Sequence, residues 1–470
     1  METLQRTANR GSISTGAYEI DNSCKFESDN REYLRWTNFS TYASSARKKK
    51  FSMSLWCKRT ELGSQQIIWS TQSNGYLSFE ADDEIKWYQT YSGVQKQLNT
   101  NRVFRDTSAW YNIIVAVDST QATEANRMRL YVNGVEETSF VTATYPSQND
   151  EAQNIYEQHL YLGEWGGGSD GFNGYIADYL FVSEVQLVPS DVGEVDEDSG
   201  IWKPKAYSGT ISAPSHFLEF QDGSDLGTAT SGLDADTMNN IAAADQATDT
   251  PTNNFCIANA IAIGSSNLFQ FTEGGTVCKR ITADQWDFFT TTMPVNKGKW
   301  YGEFKIGSGP AMVGIGSLSY FEGTAQSSHT GAGMATNSGV AYYGADGKRW
   351  VDNTEAAYGA TFGTSDIISI AMDLDNDNVY FAKNGTWQNS GDPTSGATGT
   401  GALSTDPVGD YFVMTMNMLY NPTTHFMNYG GYTTISISSA AADANGYGTF
   451  EFAPPTGFYA LCTKNLAEYG

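Results

Sequence analysis

Hydrophobic and polar positions alternate along much of the first 190 residues. In FSMSLWCK (51–58), Phe51, Met53, Leu55 and Cys57 interleave with Ser52, Ser54 and Trp56, the period of two expected of a strand with one core face. QQIIWSTQ (65–72), YLSFEA (76–81) and IKWYQTY (85–91) follow, separated by SNG and DDE turns. Trp110–Val117 reads as a longer strand. Arg127–Val132 closes on Asn133-Gly134, a strong hairpin signal, with Val135–Phe140 as its return. HLYLGEW (159–165), a glycine-rich turn and Phe172–Val182 complete the region. Strands recurring every 8 to 12 residues point to a sandwich.

A second β region starts near Phe255. It predicts strands at Trp300–Ile306, Ala311–Ile315, Gly339–Tyr343, Ile367–Leu374, Asn378–Ala382, Tyr411–Met418 and Thr434–Ile437, closing with Phe450–Phe452 and Ala460–Cys462. Between the regions, DVGEVDEDSG (191–200) holds five acids in ten positions, and a Ser/Thr/Asp/Gly-rich stretch runs on to TDTPTNN (248–254). Residues 191–255 therefore read as a connector, although Trp202, Phe217 and Phe220 call for burial. The expected layout is an N-terminal arm (1–23), a sandwich (24–190), the connector (191–255) and a second sandwich (256–465).

Composition fits an all-β chain. Of 470 residues, 13% are aromatic, 47 are glycine and only 17% are charged, which leaves few residues for the polar faces of helices. The net charge of −25 repels nucleic acid and anionic membranes, so neither is an expected partner. No apolar run reaches the ~18 residues of a membrane helix. The opening METLQRTANRGSISTG lacks the apolar stretch of a secretory signal, so export by that route is not expected. Five scattered cysteines without a CxxC pair read as reduced core residues.

Two stretches carry a family resemblance. AWYNIIVAVDST…NRMRLYVNGVE (109–136) with YLGEW…GFNGYIADYLFVSEVQLVPSDVG (161–193) resembles the laminin-G-like, concanavalin-A-type jelly roll. GKWYGEFKI (298–306), VGIG (313–316) and GTSDIISIAMDLDNDNVYFAKNGTW (363–387) resemble the SPRY (B30.2-like) sandwich. The resemblance implies two concanavalin-A-like jelly-roll sandwiches in tandem. With the polar arm, the connector and the tail FAPPTGFYALCTKNL, the whole resembles tail-fibre or other virion proteins of tailed bacteriophages. That implies a virion location, other virion subunits as partners, attachment to a host surface glycan, and a homo-oligomer, with a trimer favoured.

The candidate chemistry is sparse. His159, His216, His329 and His425 stand apart and form no triad. Glu80-Ala-Asp82 begins a glycosidase-like carboxylate strand, but Ile85 replaces the second glutamate. Laminin-G-like domains often bind calcium at the rim, and Asp118, Asp170 and Asn173 are the candidate ligands; Asx turns account for the same residues. Asp373–Asn378 starts like an EF-hand loop but lacks its glycine and glutamate. Two loops combine aromatics with Asp and Gly in the way sugar recognition requires. They offer Trp165 and Asp170 in the first region, and Tyr343, Asp346 and Trp350 in the second. Trp165 and Trp350 equally fit closure of a sandwich edge. The run Arg47–Lys50 fits either an acidic partner or a solvated turn. Three functions stay open: glycan attachment, architecture by protein contacts, and glycan depolymerisation.

Overall fold

Strand Lys50–Arg59 sits at the centre of the first unit because both of its faces are covered. Phe51, Met53, Leu55 and Cys57 point into the main core, as the alternation predicts. The neighbouring strand Tyr111–Asp118 does not alternate. Ile113, Val115 and Val117 enter the main core, while Ile114 and Ala116 join a second cluster on the opposite face. A strand apolar on both faces needs cover on both.

The computed structural model describes residues 18–72, 75–153, 155–156, 159–166, 168, 170–197, 199–263, 268–282, 285–323, 331–405 and 411–470. Most of the expected N-terminal arm (1–17) and His329 lie outside them. The chain divides into two units, with the break between Asn253 and Asn254.

In the first unit, two antiparallel sheets enclose the main core. Sheet A is ordered 135–136, 128–132, 111–118, 50–59, 174–183, 23–26 and 246–247, with 216–218 added beside 174–183 and 231–232 beside 216–218. Sheet B is ordered 140–144, 94–103, 84–91, 75–79, 66–71, 160–162, 33–36 and 237–239. The hairpin expected over 127–140 is shorter than its pattern suggested. Only Val135–Glu136 returns along sheet A, and Phe140–Thr144 crosses to pair with Val94–Val103 in sheet B.

The stretch read as a connector is a working part of this unit. Its Val192, Tyr207, Ile211 and Phe217, together with Val185 and Leu187 just before it, pack against Ile114, Ala116, Leu180 and Val182 on the outer face of sheet A. Trp202 donates from Nε1 to Asn112 Oδ1 at 3.1 Å and lies against Gly134 and Gly193, where a β-carbon would come within 2.4 and 2.2 Å of its ring. His216 is buried between Trp36 and Phe181, its ring 4.3 and 5.2 Å from theirs. Its Nδ1 lies 3.0 Å from the Pro214 carbonyl. Asp249 accepts from Lys58 Nζ at 2.8 Å and from Trp110 Nε1 at 3.1 Å, all three buried. Lys25 pairs with Glu32 and Asp245 at 2.8 and 3.0 Å, which fastens strand Ser23–Phe26 to the segment at 243–247. Buried charges persist only when paired in this way.

The second unit repeats the plan. Sheet C runs 258–263, 287–291, 412–418, 311–317, 339–343, 348–351 and 354–357. Sheet D runs 269–272, 277–280, 423–428, 299–306, 367–373, 378–383 and 386–387, with 403–404 and 459–460 at its margins. The strand expected at 434–437 is irregular, and Thr423–Asn428 takes its place between 277–280 and 299–306. All five cysteines are buried thiols.

Candidate functional site

The outer face of sheet B carries one line of side chains across all its described strands. Successive register pairs link Thr237 to Arg35, Arg35 to Tyr161, Tyr161 to Ser70, Ser70 to Tyr76, Tyr76 to Tyr88, Tyr88 to Gln97 and Gln97 to Thr144. Directly opposed residues share a face, so the line is a continuous strip. At the usual spacing between strands it spans about 34 Å. Alternation sends Trp69, Leu77, Trp87 and Leu98 to the core, and their neighbours outward.

Aromatic rings pack along this strip. Tyr76 and Tyr88 stack at 4.8 Å, and Tyr33 meets Tyr161 edge-on at 5.6 Å. Lys86 Nζ lies 5.5 Å from the centre of the Tyr76 ring. Trp165, expected to be a ligand contact, stands edge-on to Tyr76 at 5.2 Å and is half-buried. Its loop is held firmly. Ser70 Oγ donates to the Glu164 carbonyl at 2.7 Å, and Arg31 Nε pairs with Glu164 at 2.9 Å. Gly163 has φ of 96°, and a β-carbon there would lie 2.4 Å from the Phe26 ring, so only glycine fits. Tyr161 and Tyr88 are buried, while Tyr33, Arg35, Tyr76, Lys86 and Gln97 are half-buried. Tyr76 and Tyr88 were legible as the outward members of YLSFEA and IKWYQTY; that they fall on one line depends on strand pairing.

The outer face of sheet C holds the other expected residues. Met312 opposes both Asn417 and Tyr343, and Ala341 opposes Trp350, which opposes Glu355. Tyr343 meets Trp286 edge-on at 5.6 Å. Phe321 covers Phe288 at 4.4 Å and fills the space that Gly316 leaves open. Trp286, Tyr343 and Trp350 stay half-buried on this face, and Trp350 Nε1 has no hydrogen-bond partner among the described residues. Asp346 turns the hairpin: its Oδ1 accepts from Lys348 N at 3.1 Å, and Lys348 Nζ reaches Glu355 at 2.5 Å. Trp286 was missed in the sequence because it stands just before a strand with no turn motif.

The structure does not assemble the calcium set. Asp118 opposes Lys50, whereas the loop with Asp170 and Asn173 abuts Arg59, nine residues further along the same strand and about 30 Å away. Asp118 accepts from Thr120 N, Thr120 Oγ1, Gln121 Nε2 and Lys50 Nζ, and these donors hold its carboxyl below the usual range against the opposing effect of burial. Asn173 accepts from Ser28 N at 2.7 Å and donates to Glu61. Asp170 has φ of 59°, and its carbonyl receives Ile67 N at 2.6 Å. These are turn-forming roles. Among the described residues, no group of three or more His, Cys, Asp or Glu is placed to hold a metal. Three of the four residues of the basic run pair within the chain: Arg47 with Glu184, Lys49 with Glu151 and Lys50 with Asp118. Glu80 accepts from Ser78 Oγ at 2.6 Å and Gln65 Nε2 at 2.9 Å.

Comparison with known proteins bears on both units. Residues 30–191 match the family described as the concanavalin A-like lectin/glucanases superfamily, and residues 299–404 match the SPRY domain family. No curated protein matches the chain. Among solved structures, the SPRY domain of human HERC1 is 13% identical, with 36% of this chain and 96% of that one covered at a TM-score of 0.29. A human SPRY domain is 17% identical, covering 34% of this chain and 94% of its own at 0.27. The chain is therefore a nearly all-β protein with a concanavalin A-like domain followed by a SPRY domain, domain types that typically bind carbohydrate or protein rather than catalyse.

Proposed function

We propose that this is a non-catalytic attachment protein whose first sandwich holds an extended glycan along the outer face of sheet B. The single supporting observation is the strip Arg35–Tyr161–Ser70–Tyr76–Tyr88–Gln97, with Trp165 standing on Tyr76. Aromatic faces take the apolar sides of sugar rings, and Arg35, Lys86 and Gln97 supply donors to hydroxyl or carboxylate groups. The placement of this protein as a tail-fibre or appendage subunit of a phage particle rests on the order of its sequence segments alone. In that setting the glycan belongs to the host surface.

A glycan array followed by calorimetry on the best hit tests the reading. Tyr76→Ala and Trp165→Ala are each expected to weaken binding at least tenfold, about 1.4 kcal/mol. Retention of wild-type affinity by both variants refutes the placement, and release of reducing ends from the bound polysaccharide refutes the non-catalytic role.

An architectural role has one observation in its favour. The edge strand Phe140–Thr144 (FVTAT) bears no charge or proline, and Val141 is 58% exposed. Free edges of soluble sheets are usually blunted by charge, proline or cover. An edge of this kind suits pairing with another subunit and supports a homo-oligomer.

A further inference from the structure

The core of the second unit contains a histidine whose ring makes no hydrogen bond among the described residues. His425 is fully buried, and neither Nδ1 nor Nε2 has a partner there. It opposes Cys278 on one neighbouring strand and Ile306 on the other. Both are core residues, so the imidazole shares their inward face. Cys278 Sγ in turn lies 3.7 Å from Met418 Sδ, which comes from the facing sheet C. A thiol and a thioether thus meet between the two layers, and an unpartnered imidazole occupies the strand position directly opposite the thiol, all three fully buried. Buried polar groups are nearly always satisfied, and an unsatisfied one calls for an explanation.

The donor set indicates what would satisfy it. Sulfur and imidazole are soft or intermediate ligands, and the combination favours a soft d10 ion over calcium, magnesium or manganese. Two sulfurs 3.7 Å apart both reach an ion at bond lengths of about 2.3 Å with a nearly tetrahedral angle between them. Three donors without a carboxylate fall short of the four that structural zinc takes. We propose that Cys278, Met418 and His425 form a buried three-coordinate site for one cuprous ion. Loading breaks the Cys278 S–H bond, forms an S–Cu bond and releases the proton to solvent, with no change of oxidation state.

The test uses the full chain under nitrogen, with cuprous acetonitrile complex as the probe and bicinchoninate as competitor. One copper per chain is expected to survive desalting, to give a near-ultraviolet sulfur-to-copper band and to raise the thermal midpoint, because the unfolded chain lacks the site. Met418→Leu conserves core volume and is expected to bind at least tenfold more weakly. Cys278→Ser is expected to lose the band, and Cys57→Ser in the first unit to keep it. X-ray absorption should show two sulfurs and one nitrogen around copper. Failure of the wild type to retain copper overturns the site, as does equal retention by a folded Met418→Leu.

Discussion

His216 illustrates how a residue's role follows from what surrounds it. Burial pushes its pKa down to about 3, against a weaker opposing contribution from the Pro214 carbonyl. The residues facing it are Trp36, Phe39, Phe181 and the Tyr179 hydroxyl, so no charge compensates a protonated ring. The folded-state pKa lies below the unfolded value near 6.5, so the unfolded chain binds the extra proton. The histidine's contribution to stability is therefore complete above about pH 6.5 and falls as pH drops toward 3, by up to ~1.4 kcal/mol per pH unit. His216→Phe, which keeps the stack, should remove that slope. Urea unfolding at pH 7, 6, 5 and 4.5 reads it, and a wild-type-minus-variant difference that does not change with pH contradicts the assignment. In the sequence this histidine shows only its isolation, without a triad partner; its place in the core rests on Trp36 and Phe181.

Strand Lys299–Ile306 shows the same dependence in a whole element. Glu303 is fully buried in the middle of it and accepts from Tyr301 Oη at 3.0 Å, Glu451 N at 3.0 Å, Phe452 N at 2.8 Å and Asn428 Nδ2 at 3.2 Å. It anchors the chain near 451–452, which has little regular structure of its own. Glu303→Leu takes the acceptor from the Glu451 and Phe452 amides and from one Asn428 N–H, while Tyr301 keeps Ser369 and Asn428 keeps the Thr449 carbonyl; it should cost about 3 kcal/mol, whereas Glu303→Gln should cost clearly less. Chemical denaturation of the two variants separates them, and equal losses would mean that the hydrogen bonds contribute little. The alternation of WYGEFKI marked this strand correctly and puts Glu303 on the face away from Trp300, Phe304 and Ile306; that the chain near 450–460 covers this outer face and buries the glutamate is not in the pattern.

At the scale of the molecule, the boundary of the first unit is a matter of energetics. The repeat of strand signals ends near residue 190, yet the unit runs to Asn253. A fragment covering 18–253 should unfold cooperatively. One covering 18–190 loses the cover of sheet A and leaves Lys58 buried without Asp249, a defect worth about 3 to 5 kcal/mol by itself. Thermal unfolding of the two fragments checks this, and a cooperative transition of similar midpoint in the shorter one would return residues 191–253 to the status of a linker.

Local pattern was enough for what depends on near neighbours. Period-two alternation and turn residues identified most strands and the two-sandwich class, because side-chain direction in a strand is set by the backbone itself. Trp165, Tyr343 and Trp350 stood out as large aromatics beside glycine turns, a setting that fits a ligand contact and the closure of a sandwich edge alike. Long-range pairing decided the rest. Asp118 and Asn173 ended at opposite ends of one sheet, Tyr76 and Tyr88 joined Tyr161 in one strip, and an acidic, serine-rich stretch became the second cover of sheet A. In each case the deciding contact joins residues far apart in the chain, and register across strands is a property of the folded sheet that no local window contains.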